Sequence, residues 1–417
     1  MNLIRPGQWI PEYWLQNKLL RALRTAVGPA PIRLRISGLA EQYNPELRLP
    51  EICIADCLTA AKLLLNTELE FGDAYSDRRI EVRGDLISTL RLLYESPGIH
   101  GFWPRLAAAL QKVTHGQSIR RARNNARQHY SLDTDFYRAW LDRALVYTCA
   151  YFPEPSVSLE AAQEAKLDLV CRKLWLQSGE RVVEAGCGWG ALALYMAAHY
   201  GVTVRAFNVC EQQIDVAKEC AKRLGLERQV EFIHDDYRNI QGKYDVFVSV
   251  GMLEHVGKAH YEELGNLIRR AIGNVGRGLL HFIGRGKKGN LSPWTQKRIF
   301  PGAYVPALSE VLPILEQWRF TVLDIENLRL HYARTLEEWL SRYEKNFESV
   351  TSRYGMSFAR MWRLYLAGSA AAFQTGSLQL FQITFAGNKC AEVPWSRAYL
   401  YRGERPTGSQ QWTTAMY

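Results

Sequence analysis

The sequence lacks any uninterrupted run of about 18 apolar residues, close to the minimum for a helix crossing a bilayer, so no transmembrane helix is expected. Its first residues, MNLIRPGQWIPEYW, offer neither a continuous apolar stretch nor a small-residue cleavage site, and no secretory signal is read there. Cysteine is scattered: eight residues contain no CxxC pair, and Cys53 with Cys57 finds no second pair or histidine cluster to complete a zinc site. Reduced thiols in a cytoplasmic protein are the simplest reading. Internal repeats and low-complexity tracts are missing too. Acid is in deficit, with 42 Asp and Glu against 52 Lys and Arg, a net charge of +10. That sign favours a polyanion, either nucleic acid or the anionic face of a membrane, and charge alone does not choose between them.

What is present is core-forming material, 47% hydrophobic and 23% charged residues, over a length of 417 that suits two or three domains. Residues 1–105 read as a small α+β unit. Apolar alternation over Ile32–Ile36 predicts a strand, and helical spacing recurs over Cys57–Leu65 and Leu86–Tyr94 before Ser96-Pro97-Gly98 breaks it. A linker over 106–128 becomes basic from Gln117, with Arg120, Arg121, Arg123 and Arg127. From His129 strands and helices alternate, giving a domain over 129–390 and a tail over 391–417. Strands are expected at Arg181–Ala185, Val202–Phe207, Val230–Ile233, Tyr244–Val250 and Gly278–Ile283, with helices over Ala191–Tyr200 and Glu211–Leu224. This order implies an α/β, doubly wound, mostly parallel sheet, which binds ligands at the carboxyl ends of its strands.

Between the first strand and its helix stands Glu184-x-Gly186-x-Gly188-x-Gly190. Such glycines permit a tight turn and close approach to a ligand. The spacing is GxGxG, not the dinucleotide GxGxxG, and no Walker lysine follows. Glu184, just before the glycines, suits the ammonium of an aminoacyl group, which favours S-adenosylmethionine over NAD. Further segments fall where strand ends face the crevice. They are Asn208–Gln213, Asp235-Asp236 on the adenine side, Gly251–Gly257, and upstream Tyr147-Thr148-Cys149.

The segments HYSLDTDFYRAWLDRALVYTCAYF, VVEAGCGWG, VSVGMLEHVG, LLHFIG, KRIFPGAYVPAL, LRLHYARTLEEW and WRLYLAGSAAAFQTGSLQLFQITF, in this order, resemble the cyclopropane-fatty-acyl-phospholipid synthase family, which includes the mycolic acid cyclopropane synthases. The likeness runs from His129 to Asn388, and LEFGDAYSDRRIEV resembles the family's small lipid-associated domain. The resemblance implies a class I, Rossmann-like methyltransferase that adds a methylene from S-adenosylmethionine to an acyl-chain double bond. It also implies a bicarbonate or carbonate ion, at positions matching Cys149, Glu254, His281, Ile283 through its backbone, and Tyr332. Tyr147, Gly186, Gly188 and Gln213 match cofactor positions. Two departures stand out: Ala206-Phe207-Asn208-Val209-Cys210 replaces a Gly-Val-Thr-Ile-Ser-like run, and Arg143 stands where the family often has Pro.

Chemistry explains such a residue set. An alkene is a weak nucleophile, so the sulfonium must be held close and in line with the π bond. Methyl addition leaves a carbocation, and the ring closes when a proton leaves the added methyl. A bicarbonate can take that proton, held by donors from His281 and Tyr332 with Glu254 accepting. Tyr130, Phe136 and Tyr332 are candidates to face the cation, and Trp294, Phe300 and Phe373 to line an acyl tunnel. Metal binding by adjacent Glu254 and His255 is disfavoured, because neighbours on a helix diverge. The expected partner is an unsaturated phospholipid or other lipid acyl chain. The enzyme would sit at the inner, anionic face of the membrane, with Arg285, Lys287 and Lys288 joining the linker arginines. The N-terminal unit points to a phospholipid and to a homodimer by family likeness. Alternatives are a methyl- or methylene-branched product, small-molecule N-methylation, or a lipid-binding protein without catalysis. Nucleic acid is not expected, since Val250-Gly251-Met252-Leu253-Glu254 is unlike the Asp/Asn-Pro-Pro-aromatic motif of amino-methylating DNA enzymes.

Overall fold

The computed structural model describes residues 10–41, 48–96, 132–289 and 291–401. The basic linker arginines and Tyr130 lie outside the described residues. The chain divides into two compact units. The first gathers Met1–Thr114 with two later segments, Ser292–Ile299 and Tyr343–Ser377. The second comprises His115–Leu291, Phe300–Arg342 and Leu378–Tyr417.

In the first unit, β1 (Arg33–Ile36), β2 (Leu39–Ala40), β3 (Glu51–Ile54) and β4 (Ile80–Arg83) form a sheet in the order β2-β1-β3-β4. Leu34 and Ile36 alternate inward as the pattern predicts. The helices Cys57–Leu65 and Leu86–Glu95 start at Asp56 and Asp85, whose carboxylates accept the N–H of Thr59 and Ser88. The sequence suggested one continuous domain over 129–390, yet two of its segments belong here. The cause is local packing on the helix Thr67–Ser76. The Arg360 guanidinium, buried on the helix Met356–Thr375, lies 4.2 Å from the Tyr75 ring centroid. It donates to Tyr75 O at 2.7 Å and Ile80 O at 3.0 Å. The Trp294 ring covers Gly72 so closely that a Cβ there would fall 2.3 Å from its Nε1.

In the second unit, β5 (Arg181–Ala185), β6 (Thr203–Asn208), β7 (Val230–His234), β8 (Val246–Val250), β9 (Arg277–Gly284), β10 (Phe320–Asn327) and β11 (Gln379–Gly387) form one sheet, ordered β10-β11-β9-β8-β5-β6-β7. From β9 to β7 neighbours are parallel, whereas β11 is antiparallel to both β9 and β10. The fold is therefore the expected α/β, mostly parallel, doubly wound sheet. Alternation along each strand feeds two cores. Val182, Ala206, Val248 and Leu279 face one, and Val183, Phe207, Phe247 and Phe282 the other. Helices Ala191–Tyr200 and Glu211–Leu224 have their expected bounds and end at Gly201 and Gly225 in the left-handed conformation. Strand order reverses between β5 and β8, so their carboxyl ends flank the crevice such sheets use for ligands.

Candidate active site

At the carboxyl end of β5 the backbone turns through Gly186 (φ 86°), Gly188 (φ 55°) and Gly190 (φ 86°). Gly190 also needs its lack of a side chain, since a Cβ would meet the Phe232 ring at 2.5 Å. The turn opens on a cavity of about 1120 Å³, including its open mouth. Tyr147, Thr148, Glu184, Gly186, Gly188, Asn208, Gln213, Asp235 and Asp236, the whole set expected to hold the cofactor, line this one cavity.

Their hydrogen bonds distinguish them. Asn208 donates its amide to Gly188 O at 3.1 Å and to Gln213 Oε1 at 2.7 Å, which leaves Gln213 its NH₂ end for another acceptor. The Asp236 carboxylate is committed to Arg238, 2.8 Å from its Nε. Asp235 accepts from Asp236 N and Asn239 Nδ2. Glu184 is 2% exposed, and its Oε2 has no partner among the described residues. Burial pushes the Glu184 carboxyl up to about 8, opposed by Lys166. Lys166, which sequence reasoning missed, is 2% exposed, lines the same cavity and donates to Thr148 Oγ1 at 3.0 Å. Burial pulls it down to about 8, against the pull of Asp142, Cys149 and Glu184. It was missed because one lysine on an amphipathic helix carries no signal until the fold buries it. A buried acid with one oxygen open among the described residues, in a cavity that glycine backbone also lines, fits the aminoacyl ammonium of S-adenosylmethionine.

The residues expected to hold an oxyanion lie beside this cavity rather than in its wall. Gly251 of the wall donates its N–H to His281 O at 2.8 Å. His281 and Ile283 share one face of β9, two residues apart. Glu254, on the short helix Leu253–Val256, accepts the Ile283 N–H on Oε1 at 2.6 Å. Ile283 thus spends that N–H on the Glu254 carboxylate. Leu380 pairs with Ile283 across β11 and β9, and its O accepts the N–H of Leu328 at 2.9 Å. Leu328 O in turn takes the N–H of Tyr332 at 3.1 Å and lies 4.0 Å from Cys149 Sγ. Glu254 thus meets Ile283 through its carboxylate, and the Leu328 carbonyl brings the Tyr332 backbone and the Cys149 thiol together.

Two polar atoms here are buried without partners among the described residues: Glu254 Oε2 and His281 Nε2. Orphaned groups of this kind are costly unless something is meant to meet them. A small oxyanion carrying one proton fits: the imidazole N–H donates to it, and the carboxyl exchanges a proton with it. Burial pushes the Glu254 carboxyl up to about 7, so it changes charge near neutrality. Burial, then Lys166 and Lys173, hold His281 well below its ordinary value, and burial raises the Cys149 thiol. Among the described residues no group of His, Cys, Asp and Glu is arranged to hold a metal ion.

The aromatic expectations divide. Phe136 is buried edge-on to Tyr137 and Trp140, and Tyr332 is edge-on to Trp339 at 6.0 Å. Trp294 and Phe373 are buried in the first unit, whereas Phe300 falls in the second.

A glycine turn after the first strand of a doubly wound sheet, opening on a cavity with acids at the neighbouring strand ends, defines an S-adenosylmethionine-dependent methyltransferase. The chain belongs to the mycolic acid cyclopropane synthetase family, whose profile matches residues 117–383. It is 33% identical over 379 residues to the cyclopropane-fatty-acyl-phospholipid synthase of Escherichia coli K12, covering 90% of this chain and 93% of that one. It is 32% identical over 351 residues to a probable fatty acid methyltransferase of Pseudomonas putida, covering 80% and 86%. Among solved structures, mycolic acid cyclopropane synthase CmaA1 complexed with SAH and CTAB aligns with a TM-score of 0.60 at 28% identity, covering 63% of this chain and 97% of that one.

Proposed function

We propose that this methyltransferase is a cyclopropane-fatty-acyl-phospholipid synthase, acting on the cis double bond of an unsaturated phospholipid acyl chain with bicarbonate as general base. The observation that carries this reading is the pair of buried atoms without partners among the described residues, Glu254 Oε2 and His281 Nε2, beside the cofactor cavity. Likeness to the Escherichia coli enzyme over nearly the full length of both chains supports the phospholipid.

When bound, S-adenosylmethionine supplies an electrophilic methyl group and bicarbonate a weakly nucleophilic base. The protein's own groups do the rest. Glu184 offers its open Oε2 as acceptor to the aminoacyl ammonium, whose charge favours the ionised carboxylate, and the Gln213 amide donates within the same cavity. His281 donates from Nε2, and Glu254, held by the Ile283 N–H, accepts or returns a proton near neutral pH. Burial of these groups excludes water from a passing carbocation. The reading places the enzyme at the inner face of the membrane. Its net charge of +10, the exposed Lys287 and Lys288, and the absence of any membrane-crossing helix among the described residues support that position.

A second reading, a fatty-acyl C-methyltransferase giving a methyl- or methylene-branched chain, is favoured by the Pseudomonas putida relative. Cyclopropane and methylene-branched products are isomers, so mass alone does not separate them. The experiment is incubation with methyl-labelled S-adenosylmethionine and unsaturated phospholipid vesicles, followed by mass spectrometry and proton NMR of the lipid. Upfield ring protons are expected. Olefinic methylene protons would move the assignment to the second reading, and no labelled lipid would end both.

A further inference from the structure

Behind His281, three buried side chains form a hydrogen-bonded row from a helix end across the sheet. Gln382 on β11 stands opposite His281 on β9, and its Nε2 lies 3.0 Å from His281 Nδ1. Lys173, the last residue of the helix Leu159–Lys173, reaches Gln382 Oε1 at 2.6 Å and also pairs with Glu326. Exposure is 1% at Lys173, 0% at Gln382 and 2% at His281, so water does not compete for these bonds.

The order of donors and acceptors follows from elementary chemistry. An ammonium has only N–H to give, so the oxygen end of the Gln382 amide faces Lys173. That fixes the other end: the NH₂ group faces His281 Nδ1 and donates to it. Nδ1 must then hold a lone pair, and a neutral ring carries its only proton on Nε2. Nε2 is the atom left without a partner among the described residues. Glu326 supplies the opposite charge that lets a lysine stay ionised at so buried a place.

We propose that Lys173 and Gln382 are positioning residues that lock His281 in its Nε2–H tautomer, so that the ring presents a donor, not a lone pair, to an oxyanion at the reaction centre. The purpose of the lock rests on the bicarbonate reading above; its geometry does not. With the opposite tautomer a lone pair would face the anion, replacing a charge-assisted hydrogen bond with repulsion. No sequence pattern joins these residues. They lie on three separated elements, and only the antiparallel return of β11 brings Gln382 against β9.

The test is long-range proton–nitrogen NMR on the full chain labelled with ¹⁵N-histidine, with the His281 signal assigned by its loss in His281→Gln. The wild-type ring is expected to be neutral and protonated on Nε2. Gln382→Glu removes the donor facing Nδ1 and is expected to move the proton there. Turnover should fall about 10²–10⁴-fold, with S-adenosylhomocysteine affinity by calorimetry unchanged. Lys173→Met frees the amide to rotate and should give mixed tautomers with a smaller loss. A wild-type ring protonated on Nδ1, or doubly protonated, overturns the proposal, and this measurement needs no variant to fold. So does a folded Gln382→Glu protein that keeps the Nε2 proton. A confirmed lock with turnover indifferent to bicarbonate would sink only the bicarbonate reading. Bicarbonate-dependent turnover with an Nδ1-protonated ring would sink only the lock.

Discussion

Glu254 is a carboxyl whose environment matters more than its identity. The Ile283 N–H fixes one oxygen and burial strips water from the other, so the group titrates near 7 instead of its ordinary 4.5. Two expectations follow at this scale. Glu254→Gln or His281→Ala should lower turnover about 10²–10⁴-fold while the affinity for S-adenosylhomocysteine stays close to wild type, as read by kinetics and calorimetry. Losing affinity in parallel would instead assign these residues to the cofactor. The second concerns stability. The unfolded chain ionises Glu254 near 4.5, and the folded protein keeps it protonated to about 7. Between those values the folded state binds the extra proton, so this group makes the protein less stable as pH rises, by about 3 kcal/mol at most. The penalty is complete above about 7 and absent below about 4.5. Denaturation of wild type and Glu254→Gln across this window should show the wild type losing stability with rising pH relative to the variant. Parallel curves would mean an ordinary carboxylate. The residue types of this site were legible in the sequence because each sits in a motif segment, Cys149 in VYTCAYF, Glu254 in VSVGMLEHVG, His281 and Ile283 in LLHFIG and Tyr332 in LRLHYARTLEEW. Lys166, Lys173 and Gln382 were not, since a buried lysine and a strand glutamine are ordinary until their neighbours are known.

For whole elements, the turn after β5 is where backbone and side-chain packing constrain each other most. Gly190 combines a φ of 86° with a site where a Cβ would stand 2.5 Å from the Phe232 ring and 2.9 Å from Ala217 Cβ. Gly190→Ala should destabilise the protein by about 1–3 kcal/mol and weaken S-adenosylhomocysteine binding, measured by denaturant titration and calorimetry. An unchanged midpoint would show that the helix Ala191–Tyr200 shifts without cost. Several elements of the parallel sheet were readable nearly to the residue, as with Ala191–Tyr200 and Glu211–Leu224, because hydrophobic period, capping glycines and strand–helix alternation agree there. Strand direction is different. Nothing in the apolar run of β11 says that it lies antiparallel between β9 and β10, because side-chain alternation is the same in either direction.

Across the whole molecule, charge governs encounter. A net charge of +10 should draw the protein to anionic phospholipid vesicles and not to neutral ones, with flotation falling steeply as salt rises from about 0.05 to 0.5 M. Equal binding to both at all salt concentrations would shift the weight to apolar contacts. The division into units was the least legible feature. The helix Met356–Thr375 has the same repeat whichever sheet it covers, and its allegiance is set by Arg360, which finds its carbonyls at Tyr75 and Ile80.

That allegiance constrains biosynthesis. A ribosome delivers β1–β4 early, but the guanidinium that binds Tyr75 O arrives only at position 360, after β5–β10 have emerged. The larger sheet gains β11 only over Gln379–Gly387. Neither half of the nascent protein is whole until its final stretch is made, so a messenger cut short near residue 342 would yield two incomplete bodies rather than one finished and one missing.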